Sequence, residues 1–351
     1  MQCHSPSRAS AASVHSMITW NRIWTKTSQP RLRSTILCEW RKNSVHSNLI
    51  EVWHAICYGT AARHQKASDM KQFLNYALSC ALGGIFSLLV SQSGFAQDGT
   101  AYYMANEGLM VTQGETKILF DPLFRNGYGQ YLLIPEEMEA ALFAGRAPFD
   151  GVDAIFISHF HGDHFSPEDI LRLLQTQTAI QLYAPMQAVI TLRAETSNQD
   201  DAVFERVHGV SLAYMDTPVS MTMAGLFIEA VRIPHSGWPT GRLDVENIAW
   251  RVTLNETTTV LHMGDADPND MHFARDAAYW EQTPPHMAFP PYWFLDSNEG
   301  PQILRERIKS RRSIGVHVPV TIPADPIQRP YSLRNQDLFV SPGETRVISH
   351  D

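Results

Sequence analysis

Cysteine is nearly absent from this 351-residue chain, which contains only Cys3, Cys38, Cys57 and Cys80. The long part of the sequence that follows them has no thiol at all. That part can form no disulfide, and it offers neither a cysteine nucleophile nor a thiolate ligand for a metal ion. Any reactive chemistry there must come from imidazole, carboxyl, hydroxyl or amino groups.

Positive charge is also scarce beyond the first 96 residues. The whole chain has 28 Lys and Arg against 36 Asp and Glu, and residues 1–96 hold 10 of the former and 3 of the latter. The remainder therefore carries 18 basic and 33 acidic side chains, a formal net charge of −15. Nucleic acids and anionic membrane surfaces would repel such a protein, so we expect neither as its main partner.

Long apolar runs are rare, and the clearest one extends from Phe73 to Val90. Lys71 precedes it, and Gly94, Phe95 and Ala96 follow it as a signal peptidase site. This pattern over residues 70–96 predicts a secretory signal peptide that is cleaved after Ala96. The mature protein would then be periplasmic or secreted, with no stable membrane association.

A signal peptide normally begins at the initiator Met, which makes Met70 the expected start of translation. Residues 1–69 then form a mis-called or disordered N-terminal extension, and they show neither helical nor strand periodicity. Two interpretations stay open: a genuine extension, and an uncleaved anchor whose apolar run only approaches the ~20 residues of a membrane span. Residues 97–351 form the predicted domain, and the apolar content of the whole chain, 44%, is enough for a proper core.

The segment ISHFHGDHF places His159, His161, Asp163 and His164 within six positions. Before it, residues 108–122 (GLMVTQGETKILFDP) read as two strands joined by a Gln-Gly-Glu turn, which predicts a hairpin. Residues 153–158 (DAIFIS) read as a short buried strand. After it, Ser166 and Pro167 read as the N-cap and first residue of a helix. The motif therefore lies in a loop after a strand, where α/β proteins commonly build functional sites.

A surface loop has no packing reason to hold three histidines, whose rings repel one another when charged. A divalent metal ion binds them in the neutral form and keeps a nearby carboxylate ionised. His159 and His161 alternate and can face one side, while Asp163 and His164 turn toward another, which suits two ions. For any one of these histidines alone, an ordinary polar loop residue would remain the simpler interpretation.

The HxHxDH pattern after a short apolar strand resembles the signature of the metallo-β-lactamase fold. That fold is an α/β, four-layer αββα sandwich of two mixed β-sheets flanked by helices, and most of its members are metal-dependent hydrolases. Four further positions resemble the family pattern in the same order along the chain: Asp121 in KILFDP, His235 in RIPHSG, Asp265 in HMGDAD and His317 in IGVHVP.

The resemblance implies a role for each position. His159, His161 and His235 would hold one metal ion, Asp163, His164 and His317 would hold the second, and Asp265 would bridge them. Asp121 would be a buried structural residue. Asp267 competes with Asp265 for the bridging role, and His286 competes with His317 for the last ligand. Histidine-rich sites with some carboxylate favour two zinc ions, and manganese or iron suits the same ligands.

The implied activity is hydrolysis of a small-molecule ester, lactone or phosphoester by a metal-bridging hydroxide, with Asp163 as the catalytic proton carrier. The layout is most similar to the branch that contains L-ascorbate-6-phosphate lactonase and N-acylphosphatidylethanolamine phospholipase D. Two alternatives stay open, a β-lactam-hydrolysing enzyme and a non-catalytic metal-binding module. Enzymes that open β-lactams generally lack the bridging carboxylate, whereas this sequence has Asp265.

Two segments are candidates for the substrate pocket. Tyr292 and Trp293, in FPPYWF, follow a predicted strand and a rigid pair of prolines, which suits a pocket wall. The insert between Phe124 and Gly151 precedes the metal motif and either forms a lid or packs on the sheet edge. His262, three residues before Asp265, is a candidate support for the metal ligands.

Overall fold

A computed structural model describes residues 97–198, 202–223 and 225–350 of the chain. The predicted extension (residues 1–69) and signal peptide (residues 70–96) lie outside the described residues. No helix in the described ranges is both long and apolar enough to span a membrane.

The first of two mixed β-sheets has seven strands. They are β1 (Gly99–Ala105), β2 (Gly108–Gln113), β3 (Thr116–Phe120), β4 (Ala154–Phe156), β5 (Gln181–Pro185), β6 (Val207–Val210) and β13 (Thr345–Ile348). Their spatial order is β13-β1-β2-β3-β4-β5-β6. Pairing is antiparallel from β13 to β3 and parallel from β3 to β6.

The second sheet has six strands in the order β12-β11-β10-β9-β8-β7. They are β7 (Val219–Met223), β8 (Leu226–Arg232), β9 (Ile248–Leu254), β10 (Thr258–His262), β11 (Met287–Phe289) and β12 (Arg312–Ser313). The pairs among β10, β11 and β12 are parallel, and the others are antiparallel.

Seven short helices accompany the sheets. They are α1 (Glu136–Phe143), α2 (Pro167–Thr176), α3 (Met186–Ala194), α4 (Asp270–Ala274), α5 (Ala277–Gln282), α6 (Tyr292–Asp296) and α7 (Gly300–Gln302) among the described residues. A π-helical turn, Ile303–Ile308, continues α7. Single 3₁₀ turns cover Ala202–Arg206, Pro326–Gln328 and Tyr331–Leu333.

Alternation along the strands of the first sheet creates two separate apolar layers. Successive side chains of a strand point to opposite faces, so neighbours in sequence enter different cores. Phe120 and Phe156 lie in the inner layer with Trp250 of the second sheet. Ile155 lies in an outer layer with Ile170 of helix α2.

The second sheet repeats this arrangement on its own outer face. Val231 and Leu261 of β8 and β10 pack there with Phe273 and Trp280 of α4 and α5. Helices therefore cover both outer faces of two sheets that share one inner core. This is the predicted four-layer αββα sandwich of the metallo-β-lactamase fold, and the fold prediction is confirmed.

Local predictions around the motif also hold. Residues 108–122 form the β2–β3 hairpin, and Gly114 has the positive φ (59°) that its tight turn requires. The strand before the histidines is β4, and helix α2 begins at Pro167. Ser166 occupies the N-cap position, but its hydroxyl donates to Asp169 Oδ2 (2.5 Å) instead of accepting from the helix backbone.

Candidate metal centre

The HxHxDH loop leaves the end of β4 and turns back on itself before helix α2. Its turn is fixed by hydrogen bonds from the N–H groups of His164 (3.0 Å) and Phe165 (2.9 Å) to the carbonyl of His161. The N–H of Ser166 then donates to Leu123 O (2.8 Å), which ties the loop to the segment after β3. His159 and His164 are fully buried, and His161 is half-buried.

One group of ligand atoms consists of three imidazoles and a carboxylate: His159, His161, His235 and Asp265. Nε2 of His159 lies 3.1 Å from Nδ1 of His161, and Nε2 of His235 lies 3.0 Å from Oδ2 of Asp265. His235 follows β8, and Asp265 follows β10, so the second sheet contributes both. The N–H of Ser236 donates to Asp265 O (2.7 Å) and holds these two strand ends together.

A second group consists of Asp163, His164 and His317. Nε2 of His317 lies 3.2 Å from Oδ2 of Asp163 and 3.2 Å from Nε2 of His164. His317 follows Val316, which forms a single parallel bridge with Pro291 just beyond β11. Its backbone has a left-handed φ of 56°, a conformation that costs about 1–2 kcal/mol for a residue other than glycine. The N–H of His317 donates to Asn106 O (2.9 Å), which helps to hold it there.

The carboxylate of Asp265 lies between the two groups and turns one oxygen toward each. Its Oδ2 faces His235, as above, and lies 4.0 Å from Nε2 of His159. Its Oδ1 lies 3.2 Å from Nε2 of His164 and 3.3 Å from Nε2 of His317. Asp265 is thus the geometric link between both ligand sets.

The donor atoms fit metal ions. Ligands at about 2.1 Å from a tetrahedral ion are roughly 3.4 Å apart, close to the spacings within each group. Among the described residues, the buried Nε2 of His235 and Oδ1 of Asp265 have no hydrogen-bond partner, although other polar atoms approach them. Buried polar atoms are rarely left unsatisfied, and atoms that converge without hydrogen-bond geometry suit a shared cation.

The electrostatics of the cluster agree with this fit. Burial and the neighbouring His164 hold the pKa of His159 well below its usual value, and burial lowers the pKa of His161 to about 4. Both imidazoles are therefore neutral at neutral pH, as metal ligands must be. For Asp265, burial favours protonation, but His317 and His164 outweigh it and lower the carboxyl pKa. His159 and His161 are thus neutral beside an ionised carboxylate. Burial opposes protonation of His164, but Asp265 and the contact with Asp121 outweigh it and raise its pKa well above the usual value.

Asp121 lies behind the candidate ligands and is fully buried. Its Oδ2 lies 2.9 Å from Nδ1 of His164 and accepts a hydrogen bond from the Ser158 hydroxyl (2.6 Å). Its Oδ1 accepts from the Ser158 N–H (2.7 Å). The Ser158 hydroxyl also lies 3.1 Å from Nδ1 of His159, so one buried carboxylate orients residues of both ligand groups.

Asn247 was not singled out in the sequence, yet it fixes the position of Asp265. Its side-chain Oδ1 accepts from the Asp265 N–H (3.1 Å), and its Nδ2 donates to Ile233 O and Met263 O (3.2 Å each). Gly264, before Asp265, has φ 52°, and an added Cβ there would lie 2.6 Å from Cβ of Ser158 and collide with Asn247. Only glycine fits this close approach.

His262, the predicted support residue, belongs to a third buried cluster with Glu107 and Asp121. Its Nε2 lies 2.9 Å from Oε2 of Glu107, and its ring stacks on Phe120 at 4.9 Å. Burial opposes protonation of His262, but the charge of Glu107 outweighs it and raises the imidazole pKa. Glu107 had no distinguishing motif in the sequence.

The competing candidates lie elsewhere. Asp267 turns toward Nε2 of His272 (3.4 Å) and joins neither ligand group. His286 accepts from the Thr259 N–H (3.1 Å) and packs edge-on against His350. The structure thus brings together the six predicted ligands and Asp265, while the metal-binding role of each remains a prediction.

A cavity of about 670 Å³ adjoins the ligand groups. Its lining residues are Tyr128, Gln130, Tyr131, His161, Asp163, Ser236, Arg242, Asp265, Tyr292, Trp293 and His317. Tyr292 and Trp293 therefore line the cavity, while their contact with a substrate stays a prediction. The insert after Phe124 supplies Tyr128, Gln130 and Tyr131, so it forms a cavity wall. Arg242 and Ser236 were missed because nothing in their local sequence distinguishes them from loop residues.

The aromatic walls contact the candidate ligand His317 directly. The ring of Tyr131 lies edge-on to His317, with 4.1 Å between centroids, and the ring of Trp293 lies 5.0 Å from His317. The indole N–H of Trp293 donates to Ala266 O (3.2 Å), which fixes that ring beside Asp265. Rigid aromatic surfaces of this kind suit an apolar portion of a ligand.

Residues 116–281 match the family model described as the beta-lactamase superfamily domain. These 166 of the chain's 351 residues are similar to that domain. The matched range contains β3, the HxHxDH loop, His235 and Asp265, whereas His317 lies beyond it.

Individual proteins show weaker likenesses. A UPF0173 metal-dependent hydrolase of Pyrococcus abyssi (strain GE5 / Orsay) is 26% identical over 153 residues, which are 44% of this chain and only 56% of that protein. A metallo hydrolase of Ignicoccus hospitalis KIN4/I is 14% identical, with a TM-score of 0.46 over 73% of this chain and 100% of its own. An isothiocyanate hydrolase from Delia radicum gut bacteria is 14% identical, with a TM-score of 0.45 over 70% of this chain and 98% of its own.

Proposed function

We propose that the protein is a secreted, dinuclear metal-dependent hydrolase that cleaves an ester, lactone or phosphoester bond in a small molecule. The single observation that carries this proposal is the position of Asp265, whose two oxygens face two separate sets of buried ligands. A carboxylate so placed suits a pair of ions that share it. The superfamily domain and the name of the Pyrococcus relative support metal-dependent hydrolysis.

His159, His161 and His235 would hold one ion, and Asp163, His164 and His317 the other, with Asp265 between them. Zinc is the proposed metal, since imidazole-rich sites with carboxylate suit it, and manganese or iron fits the same donors. Such ions supply Lewis acidity toward the scissile group and activate water for attack.

Asp163 carries a second proposed role. It is buried, yet it lines the cavity, and its Oδ2 lies 3.2 Å from Nε2 of His317. Burial favours its protonated form, but the hydrogen bond and charge of His317 outweigh this and lower the carboxyl pKa. The ionised carboxylate can accept a proton from attacking water and return it to the leaving group.

The proposed location is the periplasm or the medium, because of the signal peptide predicted over residues 70–96. N-terminal sequencing of the protein from its native host tests this. A mature chain that begins at Gln97 supports export, and one that begins at Met1 or stays in the membrane contradicts it.

Activity is tested on a panel of chromogenic esters, lactones, phosphomonoesters, phosphodiesters and a cephalosporin, with the metal-loaded full chain. We expect hydrolysis in at least one of the first four classes and a loss of at least roughly a hundredfold in Asp163→Asn. The control is Asp98→Asn, an exposed carboxylate outside the cavity. Cleavage of the cephalosporin alone would support the β-lactamase alternative, and two bound metals without turnover would support the non-catalytic module.

A further inference from the structure

Arg242 is the only Lys or Arg among the described residues that line the cavity. The other charged or titratable groups there are the metal-ligand candidates His161, Asp163, Asp265 and His317, together with tyrosines. Arg242 is exposed, and among the described residues its guanidinium forms no hydrogen bond and has no carboxylate oxygen within 4.0 Å. Residues 97–351 carry 33 acidic against 18 basic side chains, so Arg242 supplies positive charge to the cavity of an otherwise acidic domain.

The loop that carries Arg242, residues 236–245, is fixed at both ends. It begins directly after His235, where the Ser236 N–H donates to Asp265 O (2.7 Å). It ends at the buried Val245, whose carbonyl accepts from the Arg232 guanidinium (3.2 Å). The position of Arg242 is therefore linked through the backbone to His235 and Asp265, two members of the first ligand group.

Contacts within the loop fix it further. The Gly241 N–H donates to Gly237 O (2.8 Å), and the Val245 N–H donates to the carbonyl of Arg242 itself (3.2 Å). Trp238 packs edge-on against the buried ring of His272, with 4.8 Å between centroids. Arg242 has a left-handed φ of 54°, where glycine or asparagine would be less strained. The loop thus holds an arginine side chain at a position whose left-handed backbone disfavours any residue with a large side chain.

An arginine without a protein partner suits a ligand that brings the negative charge. Guanidinium groups pair with carboxylate and phosphate oxygens through two parallel hydrogen bonds. On the proposed function, two bound divalent ions would outweigh the charges of Asp163 and Asp265, so the cavity would attract anions. Tyr131 and Trp293 add apolar surface to the cavity lining beside His317.

We propose that Arg242 binds an acidic group of the substrate, a carboxylate or a phosphate, at a point separate from the bond that is cleaved. This inference rests on the proposed function, because the acidic group is a second recognition point beside the metal centre. It narrows the substrate to anionic esters, lactones or phosphoesters. Arg242 acts in specificity and takes no part in the chemical step.

Binding can be measured without turnover by using amides that resemble esters but resist hydrolysis. Pentananilide is neutral, glutaric acid monoanilide has a carboxylate in place of the terminal methyl, and 4-phosphonobutyranilide has a phosphonate there. Isothermal titration calorimetry on the metal-loaded full chain gives the three dissociation constants. The two anionic probes also show whether a carboxylate or a phosphate group is preferred.

Wild-type protein should bind at least one anionic anilide more tightly than pentananilide. Arg242→Gln should weaken that anionic ligand by roughly tenfold and leave pentananilide within about twofold, since an exposed pair contributes modestly. Arg242→Lys should retain most of the preference because it keeps the charge. Arg146→Gln is the matched control, since Arg146 is exposed, has no side-chain contact among the described residues and lies outside the cavity lining.

The inference is overturned if the anionic preference survives in Arg242→Gln, because the metal ions alone would then bind the acidic group. Equal or undetectable binding of all three anilides by the wild type overturns it too. If charge-selective binding depends on Arg242 while no compound of the hydrolysis panel is cleaved, the proposed activity fails and the anion site stands. If compounds of the panel are hydrolysed but the anilides bind without charge preference, the proposed activity stands and the anion site fails.

Discussion

Oδ2 of Asp121 lies 2.9 Å from Nδ1 of His164, and both side chains are completely buried. A carboxylate in this position holds the ring so that Nε2 points toward Asp265 and His317. Metal-ligating histidines commonly depend on such an acceptor for their tautomer and orientation. Asp121 should therefore affect metal affinity although it does not line the cavity.

The change Asp121→Asn should weaken metal binding by about 10–100-fold, because the amide cannot accept from Nδ1 and from Ser158 as the carboxylate does. Competition with a chromogenic chelator measures the dissociation constants. Asp98→Asn, at an exposed position, serves as the control. Unchanged affinity in Asp121→Asn would show that the ligands hold their orientation without this carboxylate.

A methyl group at Gly264 should both destabilise the fold and disturb the bridge. Gly264→Ala adds a Cβ in a left-handed backbone and against Ser158 and Asn247, for a combined cost of about 2–5 kcal/mol. The matched control is Gly151→Ala, where φ is 65° and no atom lies within 4 Å, so only about 1–2 kcal/mol of backbone strain arises.

Urea unfolding and metal content distinguish these two glycine variants. We expect Gly264→Ala to unfold at clearly lower urea and to bind less metal than Gly151→Ala. Equal stability and equal metal content would mean that Asn247 and Ser158 move aside at little cost, and that the position of Asp265 does not depend on this contact.

The buried pair Glu107–His262 should contribute stability that depends on pH. Glu107 raises the pKa of His262 above its unfolded value, so the contribution is complete below the unfolded pKa of about 6.5 and is lost as pH rises through the folded pKa. Glu107→Gln should therefore lower the free energy of unfolding by on the order of 3 kcal/mol in acid and by less in alkali.

Urea unfolding of wild type and Glu107→Gln at about pH 6 and about pH 9 gives this difference. Glu168→Gln is the control, since that side chain is exposed and should change stability by less than about 0.5 kcal/mol. A cost that is constant with pH, or larger in alkali, would show that His262 is neutral in the folded protein.

The sequence predicted the elements that follow short-range rules. Apolar runs and turn residues located the β2–β3 hairpin, β4 and helix α2, and the density of histidines marked the metal loop. Resemblance then located His235, Asp265 and His317, which the fold brings to the same edge of the two sheets from distant parts of the chain.

Other parts of the site depend on contacts between distant residues that no local pattern reveals. Asn247 matters because its amide contacts three backbone groups at the ends of two strands, β8 and β10. Glu107 matters because it lies against His262. Arg242 lies in a loop without a recognisable motif, and only the folded structure shows that it lines the cavity. A single sequence contains none of these distances.

The central claim is that Asp265 links two metal ions, and elemental mass spectrometry of metal content tests it most directly. The purified full chain should contain about two equivalents of divalent metal per chain, with a clear fall in His161→Ala and in Asp265→Asn. Asp98→Asn should match the wild type. About one equivalent that is unaffected by Asp265→Asn, or no bound metal in the wild type, would contradict the dinuclear centre.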